Sequence, residues 1–236
     1  MSKVDPSAAG EPLRVVMLGA TGAVGRQALA SLVHGARAVQ VTTLGRRPVD
    51  LPDHSRLVQH QVDIHDPSSY ADCLGGQQVA ICTLGVGQPS QMSKAEFTRV
   101  DKDAVLMFAN ACRAAGVKHF ELLSSVGVDA RSRSFYLRTK GELQEALEAL
   151  GFERLSLFQP SMILTPTNRY GWSQALTLVV WPKLDGLLRG RLKRFRGIGV
   201  EELGRAMAVN ALNEGTGVET VQWSGFKRLA SQDQIR

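Results

Sequence analysis

The sequence places a tyrosine and a lysine four residues apart, at Tyr136 and Lys140. Residues four apart on a helix lie on one face, and an ammonium beside a phenol favours the tyrosinate form. This pair therefore predicts proton transfer near neutral pH. Ser125 ends a predicted strand 11 residues upstream of Tyr136, and we interpret it as the group that hydrogen-bonds a substrate carbonyl. A chance pair on an amphipathic helix is the alternative.

Three glycines at spacing three, Gly19, Gly22 and Gly25, follow the apolar run Leu13 to Leu18 and open a segment with helical periodicity. A glycine turn between strand and helix leaves backbone N–H groups at a helix N-terminus, where an anion such as a pyrophosphate binds. We expect Gly19 to permit the turn, Gly22 to allow close approach of phosphate, and Gly25 to let the helix pack on the strand. Glycines kept only for packing are the alternative.

Two arginines, Arg46 and Arg47, end the second predicted strand. In a dinucleotide-binding fold an acidic residue at this place selects the free ribose hydroxyl of NAD. Guanidinium groups instead bind phosphate bidentately, so the pair favours the 2′-phosphate of NADP(H). The alternative is two solvated turn cations.

Asp63 follows the third predicted strand and has two equal interpretations. Its carboxylate could accept a hydrogen bond from the adenine amino group, or it could serve as the entry residue of a helix starting near Pro67 and Ser68. The loop at Gly85 to Gly87, after the fourth predicted strand, is a further place where a cofactor would pass.

The elements that must position these residues alternate between strand and helix. This pattern predicts an α/β fold, a doubly wound parallel sheet of the Rossmann type with helices on both faces. The predicted strands are Leu13 to Leu18, Val39 to Leu44, Leu57 to Val62, Val79 to Leu84, Val117 to Leu123 and Phe152 to Gln159. The predicted helices between them are Ala23 to Gly35, one starting near Pro67, Ser93 to Gly116 and Phe135 to Leu150.

We expect the chain to divide into a flexible N-terminal lead-in, residues 1–12, and a single domain over residues 13–236. Residues 161–236 are expected to contribute a small substrate-side cap rather than to continue the sheet. Within them we predict helices at Trp172 to Leu188 and Val200 to Leu212. The basic run Leu187 to Arg196 is expected to be a solvated loop or hairpin, with an anionic-substrate or partner surface as the alternative.

The composition is that of a soluble globular protein, with 44% hydrophobic and 21% charged residues among 236. Three scattered cysteines and five scattered histidines indicate neither disulfides nor a metal site, and a reducing compartment is the simplest context. With no signal core and no long apolar stretch, we expect a cytoplasmic protein without a membrane partner. The formal charge of +6 would suit binding to nucleic acid, but the basic run has few interleaved aromatic residues, which argues against that partner.

Taken together and in order, eight motifs resemble the short-chain dehydrogenase/reductase superfamily. More narrowly they are similar to its atypical branch of Tat-interactive oxidoreductase-like and NAD(P)-binding epimerase-like proteins. The resemblance covers about Leu13 to Met207. The motifs are GATGAVG, LGRRP, VDIHD, CTLGVG, RVDKDAV, LLSSVGVD, FYLRTKGELQ and FQPS.

This resemblance implies a Rossmann fold, bound NADP(H) and a catalytic set of Ser125, Tyr136 and Lys140. The implied cofactor-binding residues at the phosphate end are Gly19, Thr21, Gly22, Ala23, Val24, Gly25, Arg46, Arg47 and Asp63. Those on the nicotinamide side are Leu84, Gly85, Ser124, Tyr136, Lys140 and Pro160. The family often has an arginine and a glycine where this chain has Gln159 and Ser161, which bears on the nicotinamide-face contacts.

The expected function is that of an NADPH-dependent oxidoreductase acting on a small carbonyl or alcohol substrate. A non-catalytic NADP(H)-binding sensor that engages a protein partner is the alternative, because the fold does not guarantee turnover. Superfamily members commonly dimerise through the two long helices, so we expect a homodimer through Ser93 to Gly116 and Phe135 to Leu150. Packing of Ala111, Ala114 and Ala115 against the sheet is the alternative.

Overall fold

Seven parallel strands form the central sheet of the protein, whose computed structural model describes residues 11–51, 54–86, 92–165 and 188–232. Their order across the sheet is β3-β2-β1-β4-β5-β6-β9. The strand order reverses between β1 and β4, because β2 and β3 lie on one side of β1 and the later strands lie on the other. The strands are β1 (Leu13–Leu18), β2 (Val39–Gly45), β3 (Leu57–Gln61), β4 (Val79–Cys82), β5 (His119–Leu123), β6 (Arg154–Phe158) and β9 (Gly217–Val221). This arrangement confirms the predicted doubly wound α/β fold.

The central strands are continuous apolar runs because helices cover both faces of the sheet. In β1, Val15 pairs with Val41 on one side and Val79 on the other, and all three are buried. Every strand pair in the sheet is parallel, so the carboxyl ends of all seven strands lie along one edge.

Helices pack on both faces in two layers. One layer contains α1 (Ala23–His34), α5 (Val200–Leu212) and α6 (Trp223–Ala230), and the other contains α3 (Ala104–Ala114) and α4 (Phe135–Ala149). Helix α5 packs closely on α1 because Gly204 has no side chain: a Cβ there would lie 2.5 Å from the Cβ of Gln27.

The long helix predicted from Ser93 to Gly116 is divided into three parts. A short α2 (Lys94–Thr98) leads into a π-helical turn at Arg99–Asp103 and then into α3. The predicted capping box is present, since Ser93 accepts from the backbone of Glu96 and the Glu96 side chain accepts from Ser93. The π-turn was not predicted, because hydrophobic periodicity does not resolve one inserted residue.

The chain after Pro160 does continue the sheet, and our expectation that it would not is wrong. Strand β9 pairs with β6 from Arg154 beside Gly217 to Phe158 beside Val221. The signal is weak because β9 is an edge strand whose outward residues are exposed, Val218 among them at 56%. A second, two-stranded parallel sheet joins β7 (Met162–Leu164) to β8 (Gly197–Gly199).

Four other predictions concern local structure. Near Pro67 the chain forms two 3₁₀ turns, Pro67–Ser69 and Ala71–Leu74, rather than an α-helix. The helix predicted at Trp172 to Leu188 falls almost wholly outside the described residues, while that at Val200 to Leu212 is α5. Of the basic run, Gly190–Phe195 is a 3₁₀ helix instead of a loop or hairpin.

None of the helices within the described ranges combines the length and the apolar character needed to cross a bilayer.

Candidate functional site

The candidate site lies along the carboxyl edge of the sheet, because each parallel strand delivers its following loop there. The glycine turn follows β1, Arg46 follows β2, Thr83 to Val86 follow β4, Ser124 and Ser125 follow β5, and Pro160 follows β6. The topology thus brings residues from five separate stretches of the chain to one edge.

The glycine turn is fixed by close packing against the end of β4. Gly19 has φ +91°, and a Cβ on it would lie 2.5 Å from the backbone nitrogen of Leu84. A Cβ on Gly25 would lie 2.4 Å from the carbonyl oxygen of Gly19 and 2.5 Å from Oγ1 of Thr83. These distances confirm the predicted turn role of Gly19 and packing role of Gly25.

Gly22 differs from the other two glycines because it is exposed. It forms the N-cap of α1 with extended backbone angles and no side-chain cap, and a Cβ there would meet only the carbonyl oxygen of Gly19, at 3.2 Å. The backbone N–H groups of the first turn of α1, which starts at Ala23 and Val24, have no side-chain acceptor there. The Val24 side chain is buried in the core and packs with the residues of β1.

Arg46 and Arg47 are exposed and line the same pocket as the glycine turn. That pocket also includes Thr21 and Leu84, so the turn, the arginines and the loop after β4 face one space. Within the described ranges neither arginine has a carboxylate partner. Their guanidinium groups are therefore available to an anionic ligand.

Asp63 is an exposed residue whose carboxylate accepts a hydrogen bond from the backbone N–H of His65, at 2.9 Å. The helix-entry role falls on Asp66 instead, which accepts from the backbone N–H and the hydroxyl of Ser68. The alternative of Asp63 as a helix entry is therefore wrong, and its contact with adenine stays a prediction.

Tyr136 and Lys140 lie on α4, one turn apart as predicted. The ring of Tyr136 packs against Phe97, with centroids 5.5 Å apart, and its centroid lies 6.0 Å from Nζ of Lys140. Helix α4 is anchored by the fully buried Leu143 and Leu147. The tyrosine is half-buried and the lysine is buried, so the two groups meet at a partly enclosed place.

Gly141 brings the loop that carries Ser125 onto α4, and sequence reasoning missed this residue. A Cβ there would lie 2.3 Å from the backbone nitrogen of Ala130, and the Asp129 N–H donates to the carbonyl of Leu137 at 3.3 Å. The segment that follows Ser125 therefore lies directly on the helix of Tyr136 and Lys140. Its signal in the sequence is a glycine in the interior of a helix, next to Lys140.

Asp101, in the π-turn, was also missed. Its Oδ1 lies 3.0 Å from Nζ of Lys140, and its Oδ2 accepts from the backbone N–H of Val86 at 2.8 Å. The sequence did contain a signal: Asp101 stands four residues after Phe97 and three before Ala104, both buried. An acidic residue on an apolar helical stripe indicates a buried partner.

Ser124 is buried, and its hydroxyl accepts a hydrogen bond from Nε2 of Gln144 at 2.6 Å. The amide contacts continue from Gln144 to Gln159 and from Gln159 to Gln222. The N–H of Ser124 donates to the carbonyl oxygen of Phe158, so this N–H is not left for a cofactor contact. Pro160 accepts from the N–H of Val126, which ties the loops after β5 and β6 together.

A second polar cluster is buried between β5, β6, β9 and α5. Burial raises the pKa of Glu121 well above its ordinary value, and burial lowers the pKa of His119 to about 3. Arg154 donates to Glu219 and Asn210, and Asn210 donates to Glu121 at 2.8 Å. No group of three or more potential metal ligands occurs in the described ranges.

The basic run contributes to a separate open cleft of about 340 Å³, lined by cations from two elements. Arg191, Lys193 and Arg194 come from the 3₁₀ helix and Arg228 from α6. Residues three apart in a 3₁₀ helix eclipse one another, so Arg191 and Arg194 share one side. In the described part of the molecule none of these four cations forms an ion pair.

Comparison with known proteins gives a family match and several relatives. A family model described as NAD(P)H-binding matches residues 19–154. Protein HTATIP2 of Rattus norvegicus is 37% identical over 152 residues, which cover 64% of this chain and 62% of that protein. Protein FMP52, mitochondrial, of Candida albicans is 30% identical over 183 residues, or 73% of this chain and 80% of that protein. The match thus spans less than two thirds of the rat protein.

Among solved structures, MoeE5 in complex with UDP-glucuronic acid and NAD has a TM-score of 0.68 at 20% sequence identity. The match covers 88% of this chain and 75% of that one. At this identity the likeness establishes the fold alone.

Proposed function

This chain belongs to the NAD(P)H-binding family, within the atypical short-chain dehydrogenases/reductases, and from that premise we propose that it is an NADPH-dependent oxidoreductase. Its substrate class is a small carbonyl compound or the corresponding alcohol. The support is the convergence of a glycine turn, two exposed arginines and the Tyr136–Lys140 pair at one edge of the sheet.

The residues at the β1 and β2 ends fit a dinucleotide with a phosphate on its adenosine ribose. The exposed Gly22 leaves space beside the first turn of α1, where backbone N–H groups suit the pyrophosphate. Arg46 and Arg47 suit the 2′-phosphate. When bound, NADPH supplies the hydride and NADP⁺ accepts it.

The chain's own residues would handle the proton and the orientation of substrate. Tyr136 would donate a proton to the carbonyl oxygen, since a phenol held in a partly enclosed place can act as general acid. Ser125 would donate a hydrogen bond to the same oxygen and hold it against Tyr136. Lys140 would contribute positive charge beside the ring and contact the ribose on the nicotinamide side, as the resemblance implies.

A two-step experiment tests this proposal. Titration with NADPH and NADH measures whether the dinucleotide binds and which form binds tighter. A panel of small aldehydes and ketones, followed by NADPH absorbance, measures turnover. Tighter binding of NADH than of NADPH would contradict the proposed cofactor. The absence of turnover with every carbonyl compound in the panel would contradict the proposed enzymatic activity.

The cationic cleft favours a second candidate, an NADP(H)-binding sensor that engages a protein partner. Arg191, Lys193, Arg194 and Arg228 would complement an acidic surface. A sensor would bind NADPH without turnover across the carbonyl panel. Its partner binding would persist in the Tyr136→Phe variant, which separates it from the reductase.

Cellular location and assembly are also proposals. We propose a cytoplasmic protein, because Cys73, Cys82 and Cys112 are free thiols, which suit a reducing compartment. We also propose a homodimer through α3 and α4. Ala114, which ends α3, and its C-cap residue Ala115 are exposed, and Met107 is 39% exposed, which leaves an outer face for a second copy. A monomer mass by light scattering at tens of micromolar would contradict the dimer.

A further inference from the structure

The outer edge of strand β9 is unpaired in the part of the chain that the structure describes. β9 pairs with β6 on its inner side, and no other described strand pairs with it. The N–H of Gly217 donates to the carbonyl of Glu153 at 2.8 Å. At the other end of the strand, the carbonyl of Val221 accepts from the N–H of Gln159 at 2.9 Å. Both ends of β9 therefore direct their backbone groups toward β6.

Val218 and Thr220 direct their backbone groups the other way. The N–H and C=O groups of successive residues in a strand point to opposite edges. Val218 and Thr220 alternate with the residues that bond to β6, so their N–H and C=O groups face outward. Both residues are also exposed. Such an edge is a template on which an extended segment adds as a further strand.

The open edge of β9 leads into the cationic cleft, because Thr220 lines the cleft together with its four cations. Glu219 is the one acidic side chain among the described lining residues. Arg154 donates to the Glu219 carboxylate at 2.6 Å, so the charge of this acid is offset from inside the protein. The four cations of the cleft are therefore left to attract negative charge beside the strand edge.

We infer that β9 and the cationic cleft together bind an extended acidic segment of a partner protein. The segment pairs with Val218 and Thr220 as an additional strand and places its carboxylates among the cations of the cleft. Main-chain hydrogen bonds supply affinity, and the cations select acidic side chains. A compact anion uses the cleft alone, whereas an acidic strand uses both the edge and the cleft. The inference rests on the second candidate function for the presence of a protein partner, and it does not depend on turnover.

A labelled peptide is the probe for this inference. It is about ten residues long, the length of a long strand, and it alternates valine with glutamate, so that all carboxylates lie on one face when it is extended. Fluorescence anisotropy measures its binding to the full chain. Two control peptides separate the two contributions. One has glutamine in place of every glutamate, and the other keeps the charge but is N-methylated at every peptide bond.

Two changes in the protein address the same two contributions. Thr220→Pro removes an outward N–H that the ladder with β6 does not use, and proline is tolerated where the N–H side of an edge strand faces solvent. Arg191→Glu combined with Arg194→Glu reverses two charges of the cleft. The matched control is Arg131→Glu combined with Arg133→Glu, two exposed positions in the loop before α4 that lie outside the cleft.

We expect the acidic peptide to bind the unmodified protein, and each control peptide to bind at least roughly tenfold more weakly, because hydrogen bonds or charge contacts are lost. Thr220→Pro and the cleft double variant should each weaken peptide binding by a similar factor, while the control double variant should leave it unchanged. Raising the salt concentration should weaken binding, because exposed charges are screened. The NADPH affinity of Thr220→Pro should equal that of the unmodified protein.

Equal binding of the acidic peptide and its N-methylated form would overturn the inference, because charge alone would then explain recognition. Displacement of both peptides by inorganic pyrophosphate would in that case identify the cleft as a site for a compact anion. The absence of peptide binding would also overturn the inference. So would a dimer of the unmodified protein in sedimentation that Val218→Pro abolishes, since the edge would then belong to a second copy of the chain.

The experiment remains decisive if Thr220→Pro does not fold. Val218→Pro removes the other outward N–H, and the N-methylated peptide tests strand pairing on the unmodified protein. A protein that binds the acidic peptide but not NADPH would contradict the proposed function and leave this inference intact. A protein that binds NADPH but does not distinguish the acidic peptide from its controls would do the reverse.

Discussion

The two halves of the site, on either side of the reversal between β1 and β4, are built by different physical means. The half formed by the ends of β1 and β2 uses backbone geometry: a left-handed Gly19, a tightly packed Gly25 and exposed arginines. The half formed by the ends of β4, β5 and β6 uses buried side-chain contacts, the Asp101–Lys140 pair and the Ser124–Gln144–Gln159 contacts.

The distribution of buried charge shows the same contrast. Among the described residues, the buried charged side chains are Asp101, Glu121, Lys140 and Arg154, and all lie in or after the π-turn. The described residues up to the end of β4 bury no charged side chain. An anion held by backbone N–H groups needs no buried counter-charge in the protein, whereas a buried lysine does.

The largest effect that would sharpen this comparison is expected from Tyr136→Phe. This variant removes the proposed proton donor from the second half and leaves the ring, so turnover should fall roughly 10²- to 10⁴-fold. NADPH affinity should change little, because the variant leaves unchanged the first half, where we propose that the phosphates bind. Turnover with the identified carbonyl and a binding titration measure the two effects.

Tyr70→Phe is the matched control for that variant. The hydroxyl of Tyr70 is buried and has no hydrogen-bond partner among the described residues, and its ring packs against Phe108 of α3. Its removal should leave turnover intact. Full turnover by the Tyr136→Phe variant would contradict the proposed mechanism, even if the protein binds NADPH as proposed.

The next effect concerns the first half alone. Replacing both Arg46 and Arg47 by alanine should weaken NADPH far more than NADH, since each charge-assisted hydrogen bond to phosphate contributes about 1.5–3 kcal/mol. Binding titrations with both dinucleotides measure the ratio. The control is Arg26→Ala, which removes an exposed arginine of α1 instead of the two that follow β2. An equal loss for both dinucleotides would show that the arginines do not read the 2′-phosphate.

These two halves also differ in how well the sequence predicts them. The glycine roles and the strand ends follow from local spacing, because a turn between strand and helix is specified by adjacent residues. The Asp101–Lys140 pair joins residues 39 positions apart and depends on an inserted π-turn, which periodicity does not reveal. Strand β9 was missed because it is short, exposed on its outer side and separated from β6 by a long stretch of chain.

A smaller effect separates packing from binding within the glycine turn. Gly25→Ala forces a Cβ to 2.4 Å from the Gly19 carbonyl and should destabilise the fold by about 1–3 kcal/mol. The Cβ of Gly22→Ala would meet only the carbonyl oxygen of Gly19, at 3.2 Å. This variant should therefore leave the melting temperature nearly unchanged while lowering dinucleotide affinity. Thermal unfolding and a binding titration are the two measurements. A Gly22→Ala protein that melts well below the unmodified chain would show that this glycine too is required for packing.

The smallest expected effect concerns the buried charge of the second half, at Glu121. Burial raises its pKa well above 4.5, although Asn210 and Arg154 oppose that rise. The folded chain therefore binds more protons than the unfolded chain above pH 4.5, and the stability contributed by this carboxyl is lost as pH rises through the folded pKa. His119 has the opposite sign: its pKa falls to about 3, so its contribution is lost as pH falls from 6.5 toward 3.

Glu121→Gln mimics the protonated acid and can still accept from Asn210, as Glu121 does at 2.8 Å. We expect the variant to be more stable than the unmodified protein at about pH 8 and to lose that advantage toward pH 5, where the carboxyl is protonated in the folded state. Denaturant unfolding at the two pH values measures the difference, and Glu145→Gln, an exposed change on α4, should show none. A stability difference that does not vary with pH would mean that Glu121 keeps its charge when buried. Arg154 and Asn210 would then stabilise the buried Glu121 carboxylate, as Asp101 stabilises the buried Lys140 ammonium. In the proposed case, the Glu121 carboxyl instead avoids a buried charge by keeping its proton.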